Sequence, residues 1–251
     1  EISFTIKNKK WESTVAIAWE TRRFGKLNSV QALLGNLGAK ARAYPDKLVS
    51  GMLDTAVSSS LPAYNGKVFF ATNHSDPGAT YTASQSNYIS VPSTATTPNS
   101  GVSWTDAEAA SAINAARGAL MGFKDGDGDP VWMDPTKNIL IMCAPDIYAR
   151  LALLRTATTL SGGVSNPVVG SFDIIPNPWL TPIGTGVDNF YAFNVSGAHK
   201  PFILQTAESV SLSDDMGGDN DFNTKDVSFG TFAYYNAGFG DWRYAVKMYT
   251  S

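Results

Sequence analysis

The chain has 251 residues, 43% apolar and 16% charged, and its 19 Lys and Arg against 22 Asp and Glu give a formal charge of −3. This much apolar material supports one large domain or two modest ones, and a pI near 5.4 without a basic run argues against a nucleic-acid binder. The lone Cys143 excludes a disulfide scaffold, and no apolar run approaches the roughly 18 residues of a membrane-spanning helix.

The charged fraction lies below the roughly 25% of ordinary soluble domains while aromatics reach 12%, a balance common in chains that cover part of their surface with partners. Glu at position 1 predicts a processed chain or its ordered part, so the lack of a signal peptide carries no information about export. Charge is unevenly spread. Residues 1–60 hold nine Lys/Arg and five Asp/Glu, a balance of +4; residues 61–251 hold ten and seventeen, a balance of −7. Such a split suits head-to-tail contact between copies, although ordinary surface fluctuation accounts for it equally well.

Residues 1–7 alternate Ile2, Phe4 and Ile6 with Ser3, Thr5 and Lys7, which predicts a half-buried strand. Asn8-Lys9-Lys10 reads as a turn, and Trp11 to Trp19 as the returning strand of a ribbon that needs something else to pack on. Residues 28–59 carry a helical stripe of Val30, Leu34, Leu37, Ala41, Tyr44, Leu48 and Met52, capped by Asn28 or Ser29, with Pro45 predicting a kink or break near Tyr44. Tyr64-Asn65-Gly66 predicts a turn into a strand, Val68 to Thr72, and the Ser/Thr/Asn/Pro-rich residues 73–103 a long loop or projecting flap.

Thr105-Asp106-Ala107-Glu108 is a capping box opening a helix with the stripe Ala109, Ile113, Ala116 and Leu120. Asn138 to Cys143 reads as a buried strand, followed by a helix from about Pro145 with Ile147, Leu151 and Leu154 on one side. Residues 156–190 form loops around short strands, including Phe172 to Ile175. The last third reads as strands around Tyr191–Val195, Phe202–Leu204, Val210–Leu212, Val227–Phe229 and Trp242–Met248, with an acidic loop at Asp214 to Asp221. The fold class is α+β.

No chemical motif is complete. Asp125-Gly-Asp127-Gly-Asp129 begins like a calcium loop, but the Gly and Glu that such a loop needs at its sixth and twelfth positions are Pro130 and Thr136 here, so it reads as a solvated turn. The acids at Asp214, Asp215, Asp219 and Asp221 lack the order of a cation loop. His74, His199 and Cys143 cannot build a structural zinc site without carboxylates, and Cys143 ends an apolar strand, where an inert thiol is commoner than a nucleophile. No nucleophile elbow, phosphate loop or dinucleotide fingerprint occurs. The triplets at Asn73 and Asn194 match glycosylation sequons, which are frequent by chance. No enzyme, cofactor or metal is expected.

The order of these elements resembles the major capsid proteins of tailed phages, the Hong Kong 97 type of fold, and within it most closely the major head subunits of Mu-like phages. Four phrases carry the resemblance. Tyr64-Asn65-Gly66-Lys67-Val68-Phe69-Phe70-Ala71-Thr72-Asn73-His74 is similar to that family's "YDGQ-FF-TDHP" segment. Asp134 to Ile141 with Ala144-Pro145-Asp146 and Ala149-Arg150 resembles "P-LVVPP-LE-AR", and His199 to Gln205 resembles "KPLIFQ". Phe229-Gly230, Asn236 to Gly240 and Trp242 match the "YGV-aR-NAGyG-WQ" ending. Asn65 and Asn73 stand where the family usually shows Asp, and Pro77 lies three residues beyond His74.

The resemblance implies an extended loop, a long spine helix, a peripheral domain and an axial domain. Residues 1–26 would be the returning part of the extended loop, 27–102 the peripheral domain with its spine helix, 103–198 the axial domain, and 199–251 the return strands of the peripheral domain. It also implies a virion shell of hexamers and pentamers, assembled in the host cytoplasm, enclosing double-stranded DNA without sequence-specific binding. Portal, scaffolding and decoration proteins would be its partners. Lys7, Lys9, Lys10, Trp11, Arg22 and Arg23 are the candidate assembly-interface residues on the ribbon. Two other functions compete. An encapsulin-like nanocompartment shares the fold and packages an enzyme; a secreted hydrolase or carbohydrate-binding module would use the aromatic loops and join His74 or His199 to two carboxylates.

Overall fold

The computed structural model describes residues 5–24, 27–57, 62–92, 104–132, 134, 136–180, 189–197, 199–215 and 225–250. The chain divides into two compact units, residues 50–203 with 239–251 and residues 5–49 with 204–238.

The larger unit is built on a five-stranded sheet of β2 (Tyr88–Val91), β3 (Ile139–Cys143), β4 (Phe172–Pro176), β5 (Asn189–Phe193) and β8 (Ala245–Thr250), in the order β2-β8-β5-β3-β4. β2 and β8 are parallel, as are β3 and β4, while β5 runs antiparallel to both β8 and β3. Helix α3 (Asp106–Gly122) begins at Thr105, whose side chain accepts from the Glu108 amide while Glu108 reaches back to the Thr105 amide at 2.7 Å. Its stripe, Ala109, Ile113, Ala116 and Leu120, is buried as the spacing predicts. Helix α4 (Pro145–Thr156) starts with Pro145, whose missing amide proton would have had no helical partner, and buries Ile147, Leu151 and Leu154. The central strands β5 and β8 are buried on both faces, Phe190, Val246 and Met248 on one side and Tyr191 and Lys247 on the other, so the expected alternation is absent.

The smaller unit is a three-stranded sheet, β1 (Lys9–Ile17), β6 (Phe202–Asp214) and β7 (Val227–Phe239), in the order β1-β7-β6, with most of the long helix α2 (Leu27–Thr55). A short helix α1 (Trp19–Arg23) links β1 to α2. The α2 stripe is half-buried at Val30, Leu34, Ala41, Tyr44 and Leu48 and buried at Leu37 and Met52. Pro45 does not end the helix. One hydrogen bond is lost there, but Tyr44 packs 4.6 Å from Trp11 and the apolar stripe continues beyond it, which outweighs the missing donor.

Several further expectations change. The ribbon of residues 1–7 and 11–19 is not a hairpin: β1 pairs antiparallel with β7 from Lys9↔Tyr235 to Ile17↔Val227. Asn8, Lys9 and Lys10 offer no glycine and no positive φ for a tight turn, and Lys9 and Lys10 are already strand residues. Residues 5–8 are outside any strand, and residues 1–4 of the expected strand lie outside the described residues. Second, Val68–Thr72 is not a strand. Its two phenylalanines are buried, and its amides bond singly: Phe70 to the Ala56 carbonyl at 3.1 Å, Ala71 to the Asn87 side chain at 2.9 Å. Third, the loop from 73 contains β2 and a bridge between His74 and Gln85, while 93–103 lie outside the described residues. The segments around Phe202 and Val210 also prove to be one strand, β6. Residues 216–221 of the acidic loop and the side chains of Asn28 and Ser29 are outside the description.

Candidate assembly surfaces

The ribbon candidates occupy two places in the smaller unit. Lys7, Lys9 and Lys10 are exposed at the start of β1. Lys10 Nζ lies 2.7 Å from Glu12 Oε2 and 5.6 Å from the Phe232 ring centre, and the Lys7 carbonyl accepts from Asn236 Nδ2 at 2.8 Å. Arg23 is exposed in α1, beyond the far end of a nine-residue strand that spans about 27 Å at ordinary strand rise. The side chain of Arg22 is outside the described residues. The six candidates are therefore not one cluster.

Trp11 differs from its basic neighbours. It is half-buried, donates from Nε1 to the Tyr235 carbonyl at 2.9 Å, and ties β1 to α2 through Tyr44. It also lines a cavity of about 370 Å³ between α2 and the sheet, with Leu37, Tyr44, Val210, Thr231 and Tyr235.

A second constellation, in the larger unit, joins residues from three of the four phrases that carry the resemblance. His74 is fully buried and its ring stacks on Trp242 at 4.2 Å. Nε2 faces two acceptors, the Phe69 carbonyl at 3.1 Å and Asn87 Oδ1 at 3.0 Å, while Nδ1 lies 2.9 Å from Asn65 Nδ2. These contacts fix the neutral tautomer with its proton on Nε2. Burial pushes the His74 pKa down to about 4, against smaller opposing effects of the Phe69 and Asn87 hydrogen bonds.

Asn87 completes the arrangement by donating to the Phe69 carbonyl at 2.9 Å and the Trp242 carbonyl at 3.3 Å. Phe69 stacks on Phe239 at 4.7 Å. Beside it, Arg243 Nη1 pairs with Asp76 at 3.0 Å, Nε pairs with Asp241 at 3.0 Å, and Nη2 donates to the Tyr64 hydroxyl at 2.9 Å. Burial opposes the Arg243 charge, but Asp241, Tyr64 and Asp76 outweigh it and raise its pKa. Burial likewise raises the Tyr64 pKa.

This hub holds segments together. Its histidine is neutral, its hydrogen bonds run to amides and carbonyls, and its carboxylates serve Arg243 and Tyr64. Cys143 is fully buried with its thiol pushed up to about 12 by burial and by Asp146, far from a thiolate nucleophile. The His199 ring lies 6.2 Å from Tyr244. Asp125 Oδ1 accepts from the amides of Asp127, Gly128 and Asp129, so that acidic run closes on itself as a turn. Among the described residues, no group of three or more His, Cys, Asp or Glu is arranged to hold a metal, and no helix is long and apolar enough to cross a membrane. Sequence reasoning missed Asn87, Asp76 and Arg243. Of these only Arg243 carried a signal, its place next to Trp242.

A phage capsid protein family model matches residues 2–248. The chain belongs to that family. Its function is that of a major capsid protein, a subunit of the viral shell. A search of curated proteins returns no match. Among solved structures, the capsid of cyanophage P-SCSP1u aligns at TM-score 0.61 and 14% identity, covering 97% of this chain and 72% of that one. The capsid of a native GTA particle aligns at 0.56 and 10%, covering 97% and 73%. Mycobacterium phage Patience aligns at 0.53 and 12%, covering 98% and 69%. These likenesses show that the α+β architecture is the Hong Kong 97-like capsid fold.

Proposed function

We propose that this capsid protein self-assembles, without enzymatic activity or cofactor, into hexamers and pentamers that close an icosahedral phage head around double-stranded DNA. The observation that carries this reading is the family match over nearly the whole chain, beside a buried hub with no reactive group in it. Heterologous contacts that close on themselves need two different, complementary surfaces on each copy, and the opposed charge of residues 1–60 and 61–251 supplies that asymmetry.

In this reading residues 1–26 reach a neighbouring subunit, with Lys7, Lys9, Lys10, Arg22 and Arg23 as the charged contacts and Trp11 as the anchor of the ribbon's base. Residues 27–102 and 199–251 form the peripheral domain, and 103–198 the axial domain at the capsomer centre. Net negative charge suits a shell that encloses DNA without gripping it. The head would assemble in the host cytoplasm with portal, scaffolding and decoration proteins, and the four sequence phrases favour the Mu-like head subunits within the family.

The test is the mass and shape of the purified protein by light scattering and negative-stain microscopy. Hexamers, pentamers or closed shells are expected. A monomer of 26.8 kDa at every concentration would overturn the self-assembly reading.

A further inference from the structure

The cavity between α2 and the sheet of the smaller unit is larger than core packing leaves by chance. Its volume of about 370 Å³ is more than twice the roughly 150 Å³ that admits a benzene ring to a protein core. Interiors pack with few voids larger than a water molecule, because atoms lining a void lose their contacts on one side. Leu37, Ala41 and Tyr44 bound this space from α2, Trp11 from β1, and Ala233 and Tyr235 from β7. Leu37, Ala233 and Tyr235 are buried, while Val210 at the β6 margin is 41% exposed and places the mouth there.

Water suits the space poorly. A water inside a protein needs about two to four polar partners. Trp11 Nε1 already donates to the Tyr235 carbonyl at 2.9 Å, and the Thr231 hydroxyl to the Ser13 carbonyl at 3.3 Å. Three rings form one side of the cavity. Trp11 lies 4.6 Å from Tyr44 and 6.2 Å from Tyr235, centre to centre, and such a wall favours a flat, stacking occupant.

Charge narrows the choice further. Two charged residues stand in the lining, Glu12 and Lys40. Successive strand residues face opposite sides, which turns Glu12 away from Trp11, and its carboxylate lies 2.7 Å from Lys10 Nζ. Lys40 sits three residues after Leu37 and four before Tyr44, on the α2 face that bounds the cavity. It is exposed and has no ion-pair partner among the described residues.

We infer that this cavity binds a planar aromatic carboxylate of about two fused rings, with its rings against Trp11, Tyr44 and Tyr235 and its carboxylate on Lys40. A single phenyl side chain offered by a partner protein would fill less than half of the volume and bring no anion to the lysine. A filled cavity ties α2 to all three strands, so occupancy stabilises the unit. Every lining residue belongs to one unit of one chain, and the inference stands apart from the shell reading.

The test uses sodium 2-naphthoate on the purified full chain, with binding followed by calorimetry and stability by urea unfolding. One naphthoate per chain is expected, with a urea midpoint that rises with its concentration. K40Q alters an exposed side chain; it should weaken binding about tenfold and leave the midpoint without naphthoate unchanged. 2-Naphthamide, which carries the same rings without the charge, should bind wild type and K40Q equally. A41F places a ring in the cavity from α2 and should abolish the naphthoate response. Should A41F fold poorly, K40Q still decides. No saturable binding at millimolar naphthoate, binding that K40Q leaves unchanged, or binding that survives in a folded A41F would overturn the inference. Light scattering on the same samples reads the shell hypothesis separately.

Discussion

Acid should destabilise this protein through one buried ring. The His74 pKa is about 4 in the folded protein, against about 6.5 for a histidine in an unfolded chain. Between those values the unfolded chain takes up a proton that folded His74 refuses, so stability is complete above pH 6.5 and falls as the pH drops toward 4. The difference of about 2.5 pH units corresponds to about 3 kcal/mol. That is a large share of the 5–15 kcal/mol typical of a domain. Protonation would force a charge beside the Asn65 amide and under the Trp242 ring, with no carboxylate on either ring nitrogen. The assay is urea unfolding followed by tryptophan fluorescence from pH 7.5 to 4.0, on wild type and His74→Gln. The variant should begin less stable, having lost the stack on Trp242, and the gap should close by about 3 kcal/mol as the pH falls. The comparison cancels the carboxylates, which titrate in both proteins. A gap that stays constant within about 0.5 kcal/mol across the range would refute the assignment of a neutral, structural His74.

Asn87→Ala should cost about 3 kcal/mol, because the Ala71 amide and the Phe69 and Trp242 carbonyls lose a buried partner at once; thermal unfolding would reveal a smaller loss if water replaces the side chain. Gly240→Ala should cost at least about 2 kcal/mol, since a Cβ there would collide with the Lys200 backbone carbonyl, and a variant melting as wild type does would disprove the close approach. K9E/K10E should weaken assembly by light scattering while leaving the urea midpoint within experimental scatter, because both lysines are exposed; normal shells from the double variant would remove the electrostatic part of the ribbon contact.

Where a local rule has no competitor, the sequence is legible. The Thr105–Glu108 box, the α3 and α4 stripes and the Asp125–Asp129 turn are each decided by neighbours three or four residues away, and all occur as their spacing predicts. The ribbon failed for the opposite reason: β1 takes its partner from β7, more than two hundred residues downstream, and nothing local marks that choice. Val68–Thr72 has strand-like residues, but its Phe70 and Ala71 amides bond the Ala56 carbonyl and the Asn87 side chain in place of a ladder. β5 and β8 lack the alternation because both of their faces are buried, and covering of the second face comes from distant parts of the chain.

The same distinction separates what identifies this chain from what it does. Tyr64, Asn65, Phe69 and His74 from the first phrase meet Pro201 and Phe202 from the third and Phe239, Gly240 and Trp242 from the last, in one packed hub. Gly240 is needed because its amide bonds the Pro201 carbonyl at 2.7 Å with the Lys200 carbonyl against its Cα, and His74 because only a neutral ring both stacks on Trp242 and bridges Asn65 to Asn87. Those constraints act inside one subunit and are met alike whatever shell it builds, so they mark the fold. The basic groups proposed to join subunits, Lys7, Lys9 and Lys10, are exposed side chains in the other unit, outside that hub. Reversing Lys9 and Lys10 leaves every contact of the hub in place, and for that reason assembly read against the urea midpoint of that variant is what distinguishes an interface from an ordinary charged surface.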